Sequence, residues 1–353
     1  MSFLKKIIFF ISNFILFFIP KNKFKFLIKF FNHIIGTLNK IYCAETCTGA
    51  VKIKEINFKV FIKKFNSQAH LVYKNLKDEK TIYEIAQIVC LKNIYEKEKE
   101  LIFADIGSFI GYFAFYFARL QNEKNKVYAI ESNREHCESI KKGIQLNNFK
   151  NIHVFNKILS NKRKELIVAE ELTIEAKQFN DFKNNRSNDS SLDNLKLIHE
   201  SKKFYKDMSI TVDELFQYEK PNIIKVDVHG AEGCVLEGSS NILKNDVKYI
   251  LLELHTDNYL KRYSPGFNKL KIIQNLISSN FSCYIIIDKF KREFNKTSYD
   301  EGMLYYDNKT KLDYININSS NINDVMFGRY NEEQFILCIK KDINITDLKC
   351  FQN

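Results

Sequence analysis

The sequence feature that most constrains the fold is an apolar run that ends in an acid and is followed by two glycines. The run extends from Leu101 to Asp105, and the glycines are Gly107 and Gly111. Apolar and aromatic residues after Gly111 recur with helical spacing, which predicts a buried strand, a tight turn and a helix. Glycines allow a sharp turn and a close approach of backbone to a ligand, and the free N–H groups of a helix start favour an anion such as a carboxylate. The stretch therefore predicts the cofactor end of an α/β sheet.

A second buried strand is predicted over 127–131, and its last residue is Glu131. This acid lies about twenty residues beyond the glycine turn, where an acidic side chain can accept both hydrogen bonds of a ribose diol. The alternative is that Glu131 and Ser132 form a hydrogen-bond network at the start of the next helix. We favour the ribose role because the glycine turn precedes it.

Two further apolar strands, over 223–228 and 249–255, also end in polar residues. These residues are Asp227, His229, Glu232, Glu253 and His255. In open α/β sheets the ligand lies at the carboxyl ends of the strands. We therefore expect the five side chains to lie at the same edge of the sheet as the glycine turn.

The rest of the chain predicts an α/β protein organised in three parts. Residues 1–44 are an apolar and basic segment, residues 45–97 hold lead-in strands and a helix, and residues 98–353 hold the main domain. Within the main domain, an Asn- and Ser-rich region over 178–207 is longer than most ordered loops, so it is either a lid or disordered. Other strands are predicted at 151–156, 165–174, 283–288 and 334–340, and helices at 81–95, 136–146, 234–243 and 269–278. The last two strands are expected to form an antiparallel pair.

The N-terminal segment contains no acidic residue before Glu45. Its first apolar run, 7–19, is too short to span a bilayer comfortably. The second, 21–40, places lysines on one side of a helix and aromatic and aliphatic residues on the other, which suits the inner surface of a membrane. The alternative is a helix that packs on the domain. We expect a cytoplasmic protein held peripherally at the cytoplasmic face of the membrane.

The net charge of +12 would ordinarily indicate nucleic acid or an anionic surface. However, the chain is rich in Lys, Asn and Ile throughout, and it shows no basic stripe with interleaved aromatic residues. We therefore expect no nucleic-acid partner. The eight cysteines lack the paired spacings of a zinc site or a disulfide framework, which favours reduced thiols.

Taken together, four motifs resemble the FkbM-type S-adenosylmethionine-dependent methyltransferases. They are the glycine turn from Phe103 to Tyr112, Glu131-Ser132-Asn133 with the Asn147-Asn148 pair, the stretch from Ile224 to Glu232 with Gly238, and Leu252 to His255. Asn188 to Leu192 also matches. Two positions differ from the common family pattern: Ser108-Phe109 stands where the family commonly has Ala-Asn, and His229 stands where it commonly has Glu.

The resemblance implies a Rossmann-like class I methyltransferase fold, with a mostly parallel seven-stranded sheet and helices on both faces. It also implies methyl transfer from S-adenosylmethionine, usually to a hydroxyl of a sugar or natural product. The glycine turn would hold the methionine part of the cofactor and Glu131 the ribose. The cofactor-binding residues implied in this way are Asp105, Gly107, Ser108, Gly111, Tyr112, Glu131 and Ser132.

The chemistry of methyl transfer to a sugar hydroxyl requires activation of a poor nucleophile by a base or a metal. Histidines are the better bases by their reference pKa. Our hypothesis is that Asp227 with His229 or His255 handles the acceptor proton. A magnesium ion held by Asp227, Glu232 and Glu253, with His255 as a further ligand, is the second hypothesis.

Two other classes of function remain open on sequence grounds. A nicotinamide-dependent oxidoreductase would use a similar first half, although its phosphate turn has a glycine between the positions of Gly107 and Gly111. A membrane-associated binding protein could keep the same fold without catalysis. The acceptor expected for a methyltransferase is a small-molecule or lipid-linked sugar.

Overall fold

The computed structural model describes residues 47–53, 56–62, 84–169, 172–175, 205–287, 311–327 and 334–352. The N-terminal segment 1–44 and most of the predicted lid lie outside these ranges. None of the helices within them combines the length and hydrophobicity needed to cross a bilayer.

The described residues form thirteen strands and nine α-helices, followed by two short 3₁₀ turns. The strands are β1 Cys47–Ile53, β2 Ile56–Ile62, β3 Phe103–Ile106, β4 Val127–Glu131, β5 Ile152–Asn156, β6 Glu165–Ala169, β7 Leu172–Glu175, β8 Tyr205–Met208, β9 Ile223–Val226, β10 Tyr249–Leu254, β11 Phe281–Ile287, β12 Asp313–Ile317 and β13 Gln334–Lys340. The helices are α1 Ile85–Lys97, α2 Tyr112–Leu120, α3 Arg134–Asn147, α4 Val212–Leu215, α5 Glu232–Glu237, α6 Ser240–Asn245, α7 Asp257–Tyr263, α8 Lys269–Ser278 and α9 Ile322–Phe327.

The central sheet has eight strands among the described residues, in the order β12-β11-β13-β10-β9-β3-β4-β5. The five strands from β10 to β5 are parallel to one another. Strand β13 lies antiparallel between β10 and β11, and β12 is antiparallel to β11. Strand order reverses between β9 and β3, so the loops after these two strands meet at a topological switch point, which is where open α/β sheets bind ligands.

Burial on both faces explains why the central strands are nearly continuous apolar runs. In β10, Tyr249 and Leu251 belong to one hydrophobic cluster, whereas Ile250 and Leu252 belong to another. Successive side chains of a strand point to opposite faces, so these two clusters are the cores on the two sides of the sheet. The helices cover both faces, as the α/β pattern predicts.

The sequence prediction of seven strands missed β12. Its burial is partial, with only Ile317 buried, and the polar residues Asp313 and Asn316 occupy its exposed positions. Such an edge strand lacks the apolar run that identifies a buried strand. The predicted antiparallel pair, β11 with β13, is confirmed, but β13 is inserted next to β10.

Three other predicted elements differ from the structure. The predicted strand 165–174 is two strands, β6 and β7, which form a small antiparallel sheet with β8. Strand β8 also includes 205–207, the last residues of the predicted lid. The predicted helix 234–243 is divided into α5 and α6 at Gly238, where the chain passes so close to the carbonyl of Ser160 that a Cβ would overlap it.

The lead-in segment packs on the same core as the sheet. The ring of Phe58 in β2 lies 5.9 Å from the ring of Tyr112 and 6.1 Å from that of Phe115 in α2. The Asn147 side chain at the end of α3 accepts a hydrogen bond from the Lys59 amide and donates one to the Lys59 carbonyl. These contacts attach the β1–β2 hairpin to the helices that follow the glycine turn.

Candidate active site

The glycine turn connects β3 to α2 and lies against the end of β9. Gly107 and Gly111 both have positive φ angles, of 85° and 84°, which glycine adopts without steric cost. The Gly107 amide donates to the Ile130 carbonyl at 2.9 Å. A Cβ at Gly107 would overlap the carbonyl oxygen of Asp227, so a glycine is required where this turn approaches the β9 loop.

Phe109 lies between the two glycines and also has a positive φ angle, of 50°. This conformation is strained for an aromatic residue, whereas asparagine tolerates it. The Phe109 ring packs edge-on against the imidazole of His136 at 4.7 Å. The turn keeps its left-handed shape at this position, and the ring contact supports it.

The Glu131 carboxylate connects the turn to the end of β4. It accepts hydrogen bonds from the amides of Phe109 at 2.9 Å and Asn133 at 2.8 Å. Burial alone would raise the pKa of Glu131, but the hydrogen bond and charge of His136, together with these two amides, outweigh burial and lower the pKa below its usual value. Glu131 is therefore an ionised acceptor, and each carboxylate oxygen can accept more than one hydrogen bond.

These residues fit the two polar ends of S-adenosylmethionine. An ionised carboxylate at the end of β4 suits a ribose diol. Gly111 precedes helix α2 as its N-cap and provides no side-chain cap, so the first amides of the helix and its dipole suit the carboxylate of an amino acid. The residues that would hold the cofactor are Gly107, Gly111 and Glu131.

The other residues predicted to bind the cofactor lie behind this surface or beside it. Asp105 has no exposed surface, and the Ser108 hydroxyl donates to its carbonyl at 2.5 Å. Tyr112 is buried against Phe58. The carbonyl of Ser132 accepts a hydrogen bond from the Tyr205 hydroxyl in β8. In this structure, Asp105, Ser108 and Tyr112 support the turn from within the protein.

Beneath the turn lies Lys225, a lysine with 1% exposure in the centre of the sheet. Its Nζ atom is 3.0 Å from Oδ2 of Asp227 and 4.7 Å from the centre of the Phe113 ring. Burial alone would lower the pKa of Lys225, but the charges of Asp227, Glu84, Asp105 and Glu253 outweigh burial and raise it. The lysine therefore remains a cation inside the protein.

The two aspartates near Lys225 respond differently to its charge. For Asp227, the charges of Lys225 and the neighbouring histidines outweigh burial, so its pKa is lowered. For Asp105, burial dominates: despite the attraction of Lys225, and with repulsion from Asp227 added, its pKa is raised to about 6. The ammonium of Lys225 favours the anionic form of both carboxylates, but only at Asp227 is the pKa lowered in spite of burial.

The predicted acceptor residues come together at the ends of β9 and β10. Asp227, His229 and His255 each offer a ligand atom, and these atoms lie within 4.8 Å of one another. The two imidazole rings are 5.0 Å apart, between centroids. His255 is 4% exposed, whereas His229 and Asp227 are not buried. The cluster is therefore reached from the side of His229 and Asp227.

Glu232, at the start of α5, lies behind His255. Its side chain is fully buried, and Oε1 lies 2.9 Å from Nδ1 of His255 and accepts from the Gly230 amide at 3.0 Å. A proton on Nδ1 would make this contact a hydrogen bond to Glu232, with Nε2 as the opposite ring nitrogen. Glu232 is thus a partner of His255, and the set Asp227, Glu232 and Glu253 predicted for magnesium does not converge on one point.

Glu253 belongs to a second group, in which its carboxylate and those of Glu84 and Asp227 lie within 4.8 Å of one another. The Gln87 side chain donates to both Glu84 and Glu253. Sequence reasoning missed Glu84, Gln87 and Lys225. Only Lys225 had a signal, a charged residue inside the apolar strand Ile223–Val226, which requires a buried partner.

The doubly wound sheet, with its antiparallel strand next to β10 and its glycine turn at the switch point, is a class I methyltransferase fold. The sequence profile of the methyltransferase FkbM domain matches residues 102–283, slightly more than half of the chain. The chain therefore belongs to the FkbM methyltransferase family. Curated proteins include no significant match to the sequence.

Several solved structures are similar to this chain at low sequence identity. The methyltransferase FkbM from Methylobacillus flagellatus KT has 14% identity and a TM-score of 0.35, over 52% of this chain and 39% of that one. This chain thus spans about two fifths of that relative. The SAM-dependent methyltransferase from Agrobacterium tumefaciens has 9% identity and a TM-score of 0.38, over 83% and 70% of the two chains. The O-methyltransferase from Bacillus cereus in complex with SAH has 11% identity and a TM-score of 0.35, over 79% and 93%.

The raised pKa of Asp105 predicts a stability difference that depends on pH. Because the folded-state pKa, about 6, exceeds the unfolded value of 3.8, this group opposes folding progressively as pH rises from about 4 to about 6. Asp105→Asn removes that opposition. At each pH, the effect of the substitution is the unfolding free energy of the variant minus that of the original protein. We expect this difference to be about 1.4 kcal/mol larger at about pH 8 than at about pH 5. Urea unfolding with EDTA present, with the exposed Asp342→Asn as control, measures this. An equal effect of Asp105→Asn at both pH values would contradict the prediction.

The glycine spacing of the turn predicts which cofactor binds, and Glu131 is the residue expected to hold its ribose. In calorimetry on the full chain, S-adenosylmethionine should bind and NAD should not. Glu131→Gln keeps the size of the side chain but removes its charge, so the affinity for S-adenosylmethionine should fall about tenfold or more. Glu135→Gln, at an exposed position of α3, is the matched control and should bind normally. Binding of NAD in place of S-adenosylmethionine would favour the oxidoreductase alternative, and binding of neither would favour a protein without catalysis.

Proposed function

We propose that this protein transfers a methyl group from S-adenosylmethionine to a hydroxyl oxygen of a sugar. The observation that supports this most directly is the cluster of Asp227, His229 and His255 beside the glycine turn. Because Gly107 is in close contact with the Asp227 carbonyl, a cofactor on the turn and an acceptor on the cluster would be neighbours. Family membership supports the reaction class.

The chain's residues have three tasks in such a reaction. The cofactor, when bound, supplies an electrophilic methyl group on a sulfonium. The turn and Glu131 hold it in place, and alignment of the acceptor oxygen provides much of the acceleration. The hydroxyl loses its proton at the cluster, where Asp227 carries negative charge and Glu232 orients His255. In the transfer, the oxygen gains the methyl group, the sulfur keeps the electron pair of the broken bond, and the proton leaves from the cluster.

Oxygen is the acceptor atom that the cluster suits best. A neutral sugar hydroxyl requires a proton acceptor to become a good nucleophile, and two imidazoles beside a carboxylate can supply one. The resemblance to FkbM-type enzymes, the polar composition of 178–207 and the basic, apolar composition of 1–44 all favour a sugar on a glycan or on a lipid carrier.

Methyl transfer to sugars is the direct test. Purified full-length protein with S-adenosylmethionine should methylate a hydroxyl when offered free, nucleotide-linked and lipid-linked sugars, as detected by mass spectrometry. His255→Gln should lower kcat about 100-fold or more while leaving cofactor affinity unchanged, because proton removal is impaired. His153→Gln, at an exposed position in β5, should keep full activity. In cells lacking the gene, glycans should lose one methyl group. Methylation of nitrogen or carboxylate acceptors alone would contradict the proposal.

We also propose that residues 1–44 hold the protein at the cytoplasmic face of a membrane. The full chain should sediment with vesicles containing phosphatidylglycerol, less with neutral vesicles, and less at high salt, because lysines attract anionic headgroups. A variant without residues 1–40 should remain in the supernatant, with an unchanged melting temperature as evidence of folding. Equal sedimentation of the two proteins would refute this assignment.

A further inference from the structure

We infer that Asp227, His229 and His255 form a binding site for one divalent transition-metal ion. The three side chains offer two imidazole nitrogens and one carboxylate oxygen, within 4.8 Å of one another. They extend from the carboxyl ends of the neighbouring parallel strands β9 and β10. This inference goes beyond the proposed function in assigning a resident ion, and it depends on that function only for what the ion does.

The spacing of the two imidazole rings suits a shared ion. Metal–nitrogen bonds to histidine are about 2.1 Å long. Two rings that ligate one ion at angles of ~90° to ~109° therefore have centroids about 4.6 to 5.3 Å apart. The rings of His229 and His255 are 5.0 Å apart. Small side-chain movements would bring the three ligand atoms from their present separations into one coordination sphere.

The pairing of His255 with Glu232 also supports a metal site. Histidines that ligate metals almost always donate their other ring N–H to a carboxylate or carbonyl, which sets the tautomer and the ring orientation. Glu232 is fully buried and lies 2.9 Å from Nδ1 of His255. A buried carboxylate in this position fixes the orientation of the imidazole.

The left-handed backbone conformation of His229 also supports a functional site. Its φ angle is 49°, a left-handed conformation that is uncommon for residues other than glycine and asparagine. Such strain is concentrated at functional sites. In this case it is found at the residue whose imidazole lies beside that of His255.

The donor set indicates the type of ion. Two imidazoles and a carboxylate suit Mn²⁺, Fe²⁺, Co²⁺ or Zn²⁺, whereas Mg²⁺ prefers oxygen ligands. Asp227 would bind through one oxygen only, because Oδ2 pairs with Lys225. This arrangement differs from the magnesium set of three carboxylates that the sequence suggested, since Glu232 now supports a ligand instead of acting as one.

For the proposed reaction, a bound ion would coordinate the acceptor hydroxyl and lower its pKa. This refines the proposed function, in which the cluster accepts the proton: with an ion bound, the imidazoles would act as ligands and the hydroxyl would lose its proton to solvent water. The site lies next to the glycine turn, so an acceptor oxygen on the ion would be close to the cofactor.

Cobalt titration of the full-length, EDTA-treated protein tests the inference. We expect one Co²⁺ per chain, with visible absorption bands typical of mixed nitrogen and oxygen ligands. His229→Asn removes the imidazole and suits the left-handed backbone, so it should fold normally while Co²⁺ affinity falls at least about tenfold. His255→Gln should have a similar effect. His153→Asn, an exposed histidine outside the cluster, is the matched control and should leave affinity unchanged.

The outcomes separate this inference from the proposed function. If Co²⁺ binds equally to the protein and to the His229→Asn and His255→Gln variants, or does not bind, the metal site is wrong. If the EDTA-treated protein still methylates sugars at full rate, the metal role is wrong and the proposed function stands. If Co²⁺ binds through these residues but no sugar is methylated, the metal site stands and the proposed function fails.

Discussion

The active-site end of the sheet depends on one buried cation. The ammonium group of Lys225 has almost no contact with solvent, and a buried charge is tolerated only when it is paired. Asp227 provides the direct partner at 3.0 Å, while Phe113 of α2 covers the ammonium with its ring. The pairing holds the Asp227 carboxylate as an anion at the end of β9, where the acceptor chemistry would take place.

The same cation connects the cofactor turn to the acceptor cluster. Asp105 lies in β3 directly before the turn, and its ionisation is opposed by burial and by the charge of Asp227. A change of charge at either aspartate therefore affects the other through Lys225. Glu84 and Glu253 contribute to the same field. Because this network lies under both loops, a ligand that alters the charge of one loop will alter the electrostatics of the other.

Both loops contain a residue that departs from the common FkbM pattern, and both residues are left-handed. Phe109 keeps its conformation with the help of an aromatic contact to His136. His229 keeps its conformation beside His255 and ahead of Gly230, whose own φ angle is 99°. Each of these residues thus adopts a left-handed conformation and presents an aromatic ring at its loop. At His229 the change replaces a carboxylate with an imidazole, which alters the ligands available at the cluster.

The sequence alone determined the parallel core and the order of the functional loops. Apolar runs ending in Asp105, Glu131, Asp227 and Glu253 identified the strands, because a strand buried on both faces has no polar alternation. The edge strand β12 and the division of 165–174 were missed, because partly exposed strands have weak patterns. Only the tertiary structure decided how the polar residues are paired. Lys225 and Asp227 are only two residues apart, but burial of this pair among the other acids depended on how the strands and helices pack around β9. Glu232 became the partner of His255, and Asp105 was buried under the turn, since these arrangements depend on distances between different segments of the chain, which local sequence patterns do not contain.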